Sequence, residues 1–224
     1  MNTVLEDLLI QSPARRNKLF SLLLGSLLCA ISLTVLMLYP ALNSYMIGSC
    51  LVGLVLILVG CLKYFEPSNS LLLSAQGLRY FHRYGSWFIA WQDIVIVTHP
   101  SFSHGLQRCF VPYIGIKLRD LTTVAANVAP RLASRQIHEQ RDLSVLALQQ
   151  GLVKLASAGL NFEPFKLTPQ QIISGPKAAW LHQMMMLNQA FGCHLYVPVT
   201  SFTQQPEQLI SILKRYQQRA LLLL

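Results

Sequence analysis

Charged side chains are scarce in this chain of 224 residues, where they make up 12%, against roughly 25% in an average soluble domain. The deficit is concentrated, because residues 19–62 include no Asp, Glu, Lys, Arg or His. Such a stretch excludes an ordinary soluble surface. A bilayer core about 30 Å thick is crossed by about 20 helical residues. The sequence therefore predicts a transmembrane hairpin at 19–62, with spans at 19–38 and 45–62 and a turn at Pro40.

Several signatures of catalysis and of ligand binding are also missing. The chain has no glycine-rich phosphate loop, its five cysteines lack metal-ligand spacing, and no basic stripe indicates nucleic acid. The closest approach to a catalytic set is Asp93, His99, His104 and Cys109, which matches no known template. We therefore expect no enzymatic activity, no cofactor, no metal site and no nucleic-acid partner.

The charges that flank the two spans predict their orientation. Arg15, Arg16 and Lys18 precede the first span and Lys63 follows the second, whereas the loop between the spans is uncharged. Because positive flanks stay on the cytoplasmic side, we expect residues 1–18 and the C-terminus to lie in the cytoplasm. The four basic residues would contact the surface of a bacterial inner membrane.

A cleavable signal peptide is the alternative interpretation of the first span. Its apolar stretch is longer than the usual 7–15 residues, and a second span follows at once. Both features favour a hairpin that stays in the membrane.

Residues 67–224 are long enough for one soluble domain and carry 14 Lys and Arg against six Asp and Glu, a net charge of +8. A basic domain near an anionic leaflet is attracted by about 1 kcal/mol per basic residue at the surface. The charges are scattered, however, and this also fits a basic surface with no specific partner.

The first part of this domain alternates apolar and polar residues, as strands do. Leu78 and Tyr80 lie on one face of a predicted strand, and Trp87, Ile89 and Trp91 lie on one face of the following strand. Five such strands over about 50 residues predict an antiparallel meander. Asp93 interrupts the pattern directly after Trp91. We expect these two residues to form a structural turn in which the carboxylate accepts backbone N–H bonds.

After the predicted strands, the spacing of apolar residues changes from every second position to every third or fourth, which predicts a helical insertion at about 122–192. Thr168 followed by Pro169 has the pattern of a helix start, and a second helix is expected from Pro176 to the stop at Gly192. Met184 falls in the apolar stripe of that helix, so we expect it in the core. A strand near Leu195 and a C-terminal helix from Pro206 complete the pattern.

Three segments carry a resemblance to a known family: LLLSAQGLRY (71–80), IAWQDIVIV (89–97) and LYVPVTSFTQQPEQLISIL (195–213). Their order resembles the bacterial pleckstrin-homology-like (PH-like) domains of small membrane proteins, and more narrowly an uncharacterised proteobacterial domain-of-unknown-function family. The resemblance implies an α+β fold with a PH-like antiparallel β-barrel or sheet and a closing C-terminal helix. The lipid-phosphate signature of eukaryotic relatives is not present, and Arg79 and Arg83 are only weakly similar to it. These two residues mark a possible binding face.

These observations predict a membrane-anchored, non-enzymatic interaction or scaffolding protein. Besides the lipid bilayer, its expected partner is a membrane-associated protein or a second copy of itself. The alternative is a domain that binds a small ligand or an anionic lipid headgroup through its basic face.

Overall fold

The structure is a computed structural model that describes residues 7–13, 18–39, 43–65, 67–104 and 107–222. The chain forms two compact units. The first unit, Ser12–Ser68, is a helical hairpin, and the second joins Met1–Gln11 to Asn69–Leu224. The helices and antiparallel strands of these units, described in turn below, confirm the predicted α+β architecture.

The helical unit consists of α1 (Lys18–Leu38) and α2 (Asn43–Tyr64). Both helices are long and apolar enough to cross a bilayer. Only 11% of the residues in each apolar window are buried, whereas the core helix of a soluble protein is mostly buried. The two apolar helices that the sequence predicts are confirmed.

Small residues bring α1 and α2 into close contact. A Cβ atom added at Gly25 would lie 2.7 Å from the Gly53 carbonyl oxygen, and one at Gly60 would lie 2.6 Å from the Leu22 side chain. The Ser32 hydroxyl donates a hydrogen bond of 2.9 Å to Ser49. Small residues and interhelical hydrogen bonds of this kind are how helices associate in lipid, where apolar burial provides no driving force.

The second unit begins with a strand that the sequence analysis did not predict, β1 (Leu8–Gln11). It pairs antiparallel with β2 (Asn69–Ser74), with Ile10 opposite Leu71. Strands β3 (Gly77–His82) and β4 (Gly85–Ala90) extend this sheet in the order β1-β2-β3-β4. The helical hairpin is therefore inserted in the chain between two neighbouring strands of one sheet.

A second sheet has the order β11-β8-β5, formed by β5 (Ile94–Thr98), β8 (Tyr113–Leu118) and β11 (Leu195–Pro198). The segment between β5 and β8 forms a hairpin of β6 (Ser101–His104) and β7 (Gln107–Phe110).

The prediction of one five-stranded meander is wrong. A 3₁₀ turn at Trp91–Asp93 follows β4. The next strand, β5, pairs with β8 instead of continuing the first sheet.

The described ranges contain four separate antiparallel sheets and no closed barrel. A barrel would require hydrogen-bonded pairing between the first and second sheets, and none is present among these strands.

The region 122–192 begins and ends with helices, but a two-stranded hairpin lies between them. It contains these elements: α3 (Thr122–Asn127), α4 (Pro130–Glu139), α5 (Arg141–Gln149), α6 (Leu155–Ala158), β9 (Phe165–Thr168), β10 (Gln171–Ile173) and α7 (Pro176–Phe191). The predicted helix start at Thr168 is wrong, because β9 and β10 form a hairpin there. Pro169 and Gln170 occupy its turn, and proline suits the second position of a turn as well as the first turn of a helix.

The core of the second unit lies between its sheets and the helices α4, α7 and α8 (Pro206–Leu222). The Trp87, Trp91 and Trp180 side chains are almost completely buried, and so is Ile10 at 2% exposure.

Helix α7 ends as predicted at Gly192, whose φ of +79° is a left-handed conformation that suits glycine. Met184 is buried in the core, as predicted.

Candidate functional site

The turn at Trp91–Asp93 is held by specific side-chain contacts. The Asp93 Oδ2 accepts a hydrogen bond of 2.7 Å from the Thr123 hydroxyl, and the Trp91 Nε1 donates one of 2.8 Å to the Ser74 carbonyl. The Asp93 carbonyl oxygen accepts the Arg119 N–H at 2.7 Å. The partner of the Asp93 carboxylate is thus a hydroxyl of α3, whereas the sequence predicts a backbone N–H.

The C-terminal helix α8 closes over this turn. The Gln217 Nε2 donates hydrogen bonds to the carbonyl oxygens of Trp91 and Ile94, at 3.2 and 2.7 Å. The Tyr216 ring lies 5.6 Å from the Trp91 ring between centroids. These contacts connect residues more than 120 positions apart in the chain and make the turn a junction between β4, β5 and α8.

Of the residues considered for catalysis, Asp93 and His99 contact other groups. His99 Nε2 lies 2.9 Å from the Val111 carbonyl oxygen and its ring stacks on Phe110, whereas Asp93 bonds Thr123. Cys109 lies on β7, and the side chain of His104 lies outside the described residues. Among the described residues, no three His, Cys, Asp or Glu side chains are placed to hold a metal ion.

Two buried groups near β11 have pKa values that fit a structural role. The His194 Nδ1 accepts a hydrogen bond of 3.0 Å from the Leu118 N–H, so this nitrogen carries no proton. Burial lowers the pKa of the His194 imidazole, and the charge of Lys117 lowers it further. Burial also raises the pKa of the neighbouring Cys193 thiol to about 11, which keeps it protonated and unreactive.

A charged cluster that sequence spacing did not reveal joins α4 to β3. The Glu139 carboxylate accepts a hydrogen bond of 2.8 Å from Arg135 Nε and lies 3.4 Å from His82 Nε2. Burial alone would raise the pKa of Glu139, but its hydrogen bonds and the positive charges of His82 and Arg135 outweigh this and lower it. The Arg135–Glu139 spacing of four is visible in the sequence, whereas His82 is brought there only by the fold.

A shallow basic depression of about 430 Å³ lies beside this cluster. Its walls are Tyr84, Pro130, Arg131, Ser134, Arg135, His138 and Pro176. The Arg135 guanidinium lies 5.7 Å from the centre of the Tyr84 ring. This depression combines positive charge with an aromatic wall.

The basic residues named from the sequence have different surroundings. Arg79 is exposed on β3, with its guanidinium 5.7 Å from the centre of the Phe88 ring, and Arg83 is exposed in the turn before β4, next to Tyr84. In the helical unit, the Lys18 Nζ lies 4.9 Å from the centre of the Tyr64 ring, and Lys63 lies in the last turn of α2. Arg15 and Arg16 lie outside the described residues.

Comparison with protein families matches residues 71–219 to a family described as "Protein of unknown function (DUF2982)". The chain belongs to this family. It matches no curated protein and no solved structure. The predicted resemblance to a family of unknown function is thus confirmed, whereas the PH-like fold and the proteobacterial source stay predictions.

The DUF2982 match begins in β2 and ends in α8, so it includes the Trp91–Asp93 turn and the helices α3–α7. Within it, exposed apolar side chains are frequent from α5 to the start of β9. These side chains are Val145, Leu152, Leu155, Leu160 and Phe162, which are 38–75% exposed. We call Leu152, Leu155 and Phe162 the apolar segment.

Proposed function

We propose that this protein is a membrane-anchored, non-enzymatic interaction module, whose second unit binds a protein partner beside the bilayer. The observation that carries the anchoring is the pairing of β1 with β2. These strands flank the helical hairpin in the chain, so the chain leaves one sheet, passes through two apolar helices and returns to the same sheet. Two spans that begin and end at neighbouring strands must begin and end on one side of the membrane.

The charges at the base of the hairpin support the cytoplasmic side. Lys18 begins α1 and Lys63 lies in the last turn of α2, whereas residues 40–44 have no charge. By the positive-inside rule, the second unit then faces the cytoplasm of a bacterial inner membrane. Tethering confines this unit to the surface on which its partners move, which raises their effective concentration without any additional contact.

The apolar segment supports protein binding. Leu155 is 75% exposed and Phe162 is 60% exposed, and both lie outside the apolar core of the same unit. Exposed apolar groups that recur in one region mark interaction sites more often than isolated ones do. The expected partner is a membrane-associated protein or a second copy of this chain.

Photo-crosslinking in cell membranes tests this function. A photoreactive amino acid at Leu155 of the full chain should give a discrete crosslinked product. A product of twice the chain's mass identifies a second copy, and any other discrete mass identifies a different protein. The control position is Gln208, which is exposed on α8. No discrete product at Leu155, or the same products at both positions, would contradict the proposal.

The second candidate function is the binding of an anionic lipid headgroup, and the basic depression favours it. Arg131 and Arg135 lie on its walls beside Tyr84, and Arg83 is adjacent to Tyr84 in the chain. Binding of the second unit to vesicles should then increase with anionic lipid and weaken with salt, because exposed charges are screened beyond about 10 Å at 0.1 M salt. Arg131→Gln should reduce that binding, whereas Arg215→Gln on α8 should not.

The PH-like architecture is part of the same proposal. The antiparallel sheet β1-β2-β3-β4, a late strand that joins the second sheet and a C-terminal helix that packs over the Trp91 turn support it. The pair of sheets would then correspond to the two halves of a PH-like domain, with α3–α7 as its insertion.

A further inference from the structure

We propose that the basic depression and a neighbouring apolar cavity form one binding site for a phospholipid with a single acyl chain. The phosphate lies in the depression and the chain lies in the cavity. The cavity has a volume of about 310 Å³ and lies between α4, α5, α7 and the segment after α6. The proposal rests on the headgroup binding given above as the second candidate function, and it adds the class of lipid.

Helix α7 provides a continuous wall from the depression to the cavity. Pro176 lines the depression, and Ala179, Gln183 and Met186 line the cavity. These four residues are spaced by three, four and three positions, so they follow one stripe along the helix. In α4, which packs against α7, His138 lines both spaces. The two spaces are therefore neighbouring parts of one groove.

One face of α4 presents polar groups to the depression. The face consists of Arg131, Ser134, Arg135 and His138, at spacings of three, one and three positions. Within the part of the chain that the structure describes, no group forms a hydrogen bond or an ion pair with the side chains of Arg131, Ser134 or His138. These three side chains are therefore free to bind a ligand.

The polar groups of the depression fit a phosphate. Among the described residues, no Asp or Glu lines the depression, so its positive charge is available to an anion. A guanidinium binds phosphate through two parallel hydrogen bonds. Arg131 would provide such a pair, and the Ser134 hydroxyl would donate to a further phosphate oxygen. A carboxylate has only two oxygens and would use fewer of these donors.

The cavity has the walls of a site for an acyl chain. Val145, Leu148 and Leu160 contribute to them, and Val145 and Leu160 are 43% and 56% exposed. An apolar chain that covers these two side chains removes their surface from water, which is favourable. A cavity of 150 Å³ with apolar walls already binds benzene, so this one accommodates a short chain of methylene groups. Arg141 also lines the cavity, but it is exposed and can keep its charge in water.

The test is calorimetric titration of the full chain in phosphatidylcholine nanodiscs with water-soluble probes. Two probes are octanoyl and butanoyl glycerol phosphate. Two more are glycerol 3-phosphate, which lacks the chain, and octanoyl glycerol, which lacks the phosphate. Empty nanodiscs measure the partition of each probe into lipid. Each methylene group that leaves water strengthens binding by up to about fourfold. We therefore expect octanoyl glycerol phosphate to bind at least about tenfold more tightly than the butanoyl probe, and more tightly than octanoyl glycerol.

The outcomes separate this proposal from the second candidate function. Equal affinities of the three phosphates for the wild type would overturn the shared site, but the headgroup site in the depression would stand. Binding of none of the phosphates would overturn both. Equal affinities of octanoyl glycerol phosphate and octanoyl glycerol would mean that the phosphate is not recognised, and would also overturn both.

One pair of variants locates the chain. Leu160→Asn makes a wall of the cavity polar without changing its charge, and it should weaken binding of octanoyl glycerol phosphate at least about threefold. It should leave glycerol 3-phosphate unchanged. The matched control is Ile172→Asn, at a side chain of β10 that is 59% exposed and does not line the cavity. Equal binding of the octanoyl probe to the two variants would overturn the placement of the chain.

A second pair of variants locates the phosphate. Arg131→Gln should weaken octanoyl glycerol phosphate and glycerol 3-phosphate by the same factor, because both place their phosphate in the depression. Arg215→Gln, on α8, should change neither. Unchanged binding of both phosphates to Arg131→Gln would overturn the placement of the phosphate.

Discussion

The pairing of β1 with β2 predicts that the hairpin can be removed from this protein without unfolding the rest. Gln11 and Asn69 are register partners at the end of the pair. A two-residue Asn-Gly turn in place of Ser12–Ser68 should therefore connect the strands directly, as in an ordinary β-hairpin. We expect this spliced protein to be soluble and folded. Residues 69–224 alone, which lack β1, should be clearly less stable.

The size of the difference follows from what β1 contributes. The Ile10 side chain is 2% exposed, and burying such a side chain stabilises by about 1.5–3 kcal/mol. The backbone hydrogen bonds to β2 add about 0.5–1.5 kcal/mol each, and ordering the strand opposes them at about 1–2 kcal/mol per residue. Because the hydrogen bonds and the ordering cost oppose each other, we take the burial of the Ile10 side chain as the estimate of what β1 contributes to stability, about 2 kcal/mol. With a urea m-value of about 2 kcal/mol per molar, the midpoint should decrease by about 1 M.

The assay is urea unfolding followed by circular dichroism. In the spliced protein, Ile10→Ala should cost most of that difference, about 1–2 kcal/mol, whereas Leu9→Ala, at a side chain that is 52% exposed, should cost less than about 0.5 kcal/mol. Equal midpoints for the spliced protein and for residues 69–224 would refute the reasoning, because β1 would then contribute nothing to the fold.

Three further perturbations test other parts of the structure. In the spliced protein, Asp93→Ala and Thr123→Val should each reduce the free energy of unfolding by about 1–2 kcal/mol, and the double variant should cost little more than either alone; additive losses would mean that their 2.7 Å hydrogen bond contributes nothing. Because the pKa of His194 lies below its ordinary value of 6.5, the unfolded state binds more protons as the pH falls through 6.5. Stability should therefore decrease between pH 7.5 and pH 5, and His194→Asn, which keeps an acceptor, should flatten that dependence; identical pH profiles would contradict it. In the full chain, Gly53→Leu should lower the thermal stability of the hairpin, since a Cβ there would lie 2.9 Å from the Gly25 carbonyl oxygen. The control is Gly48→Leu, which adds a Cβ that meets nothing within 4 Å. Equal melting temperatures of the two variants would show that the close helix contact is not needed.

Much of the local structure could be predicted because the physical signal is local. An uncharged stretch long enough for two spans fixes the helices of the hairpin, and alternation fixes the buried faces of Trp87, Ile89 and Trp91. The end of α7 follows from the need for a left-handed residue at Gly192.

The long-range pairings could not be predicted in the same way. Strand β1 has only four residues, and its partner lies beyond a hairpin of more than fifty residues, so no local pattern connects them. The start pattern at Thr168 suits a turn as well as a helix, and the choice depends on whether Phe165 and Leu167 find partners in the core, as they do here.

The candidate sites depend on the fold in the same sense. Asp93 could be recognised as a corner from its neighbours, but Thr123 is its partner only because α3 packs beside the turn. The basic depression is formed by Tyr84 before β4, by one side of α4 and by Pro176 at the start of α7, so no single stretch of the sequence reveals it.

The central claim is that both ends of the hairpin lie on the cytoplasmic side, and cysteine labelling in intact cells tests it most directly. In a variant whose five natural cysteines are replaced, single cysteines are placed at Leu9 in β1, at Gln76 in the turn after β2, and at Leu42 between the spans. We predict that a membrane-impermeant maleimide labels only the Leu42 position in intact cells and all three after lysis. Labelling of the Leu9 or Gln76 position in intact cells would contradict the account.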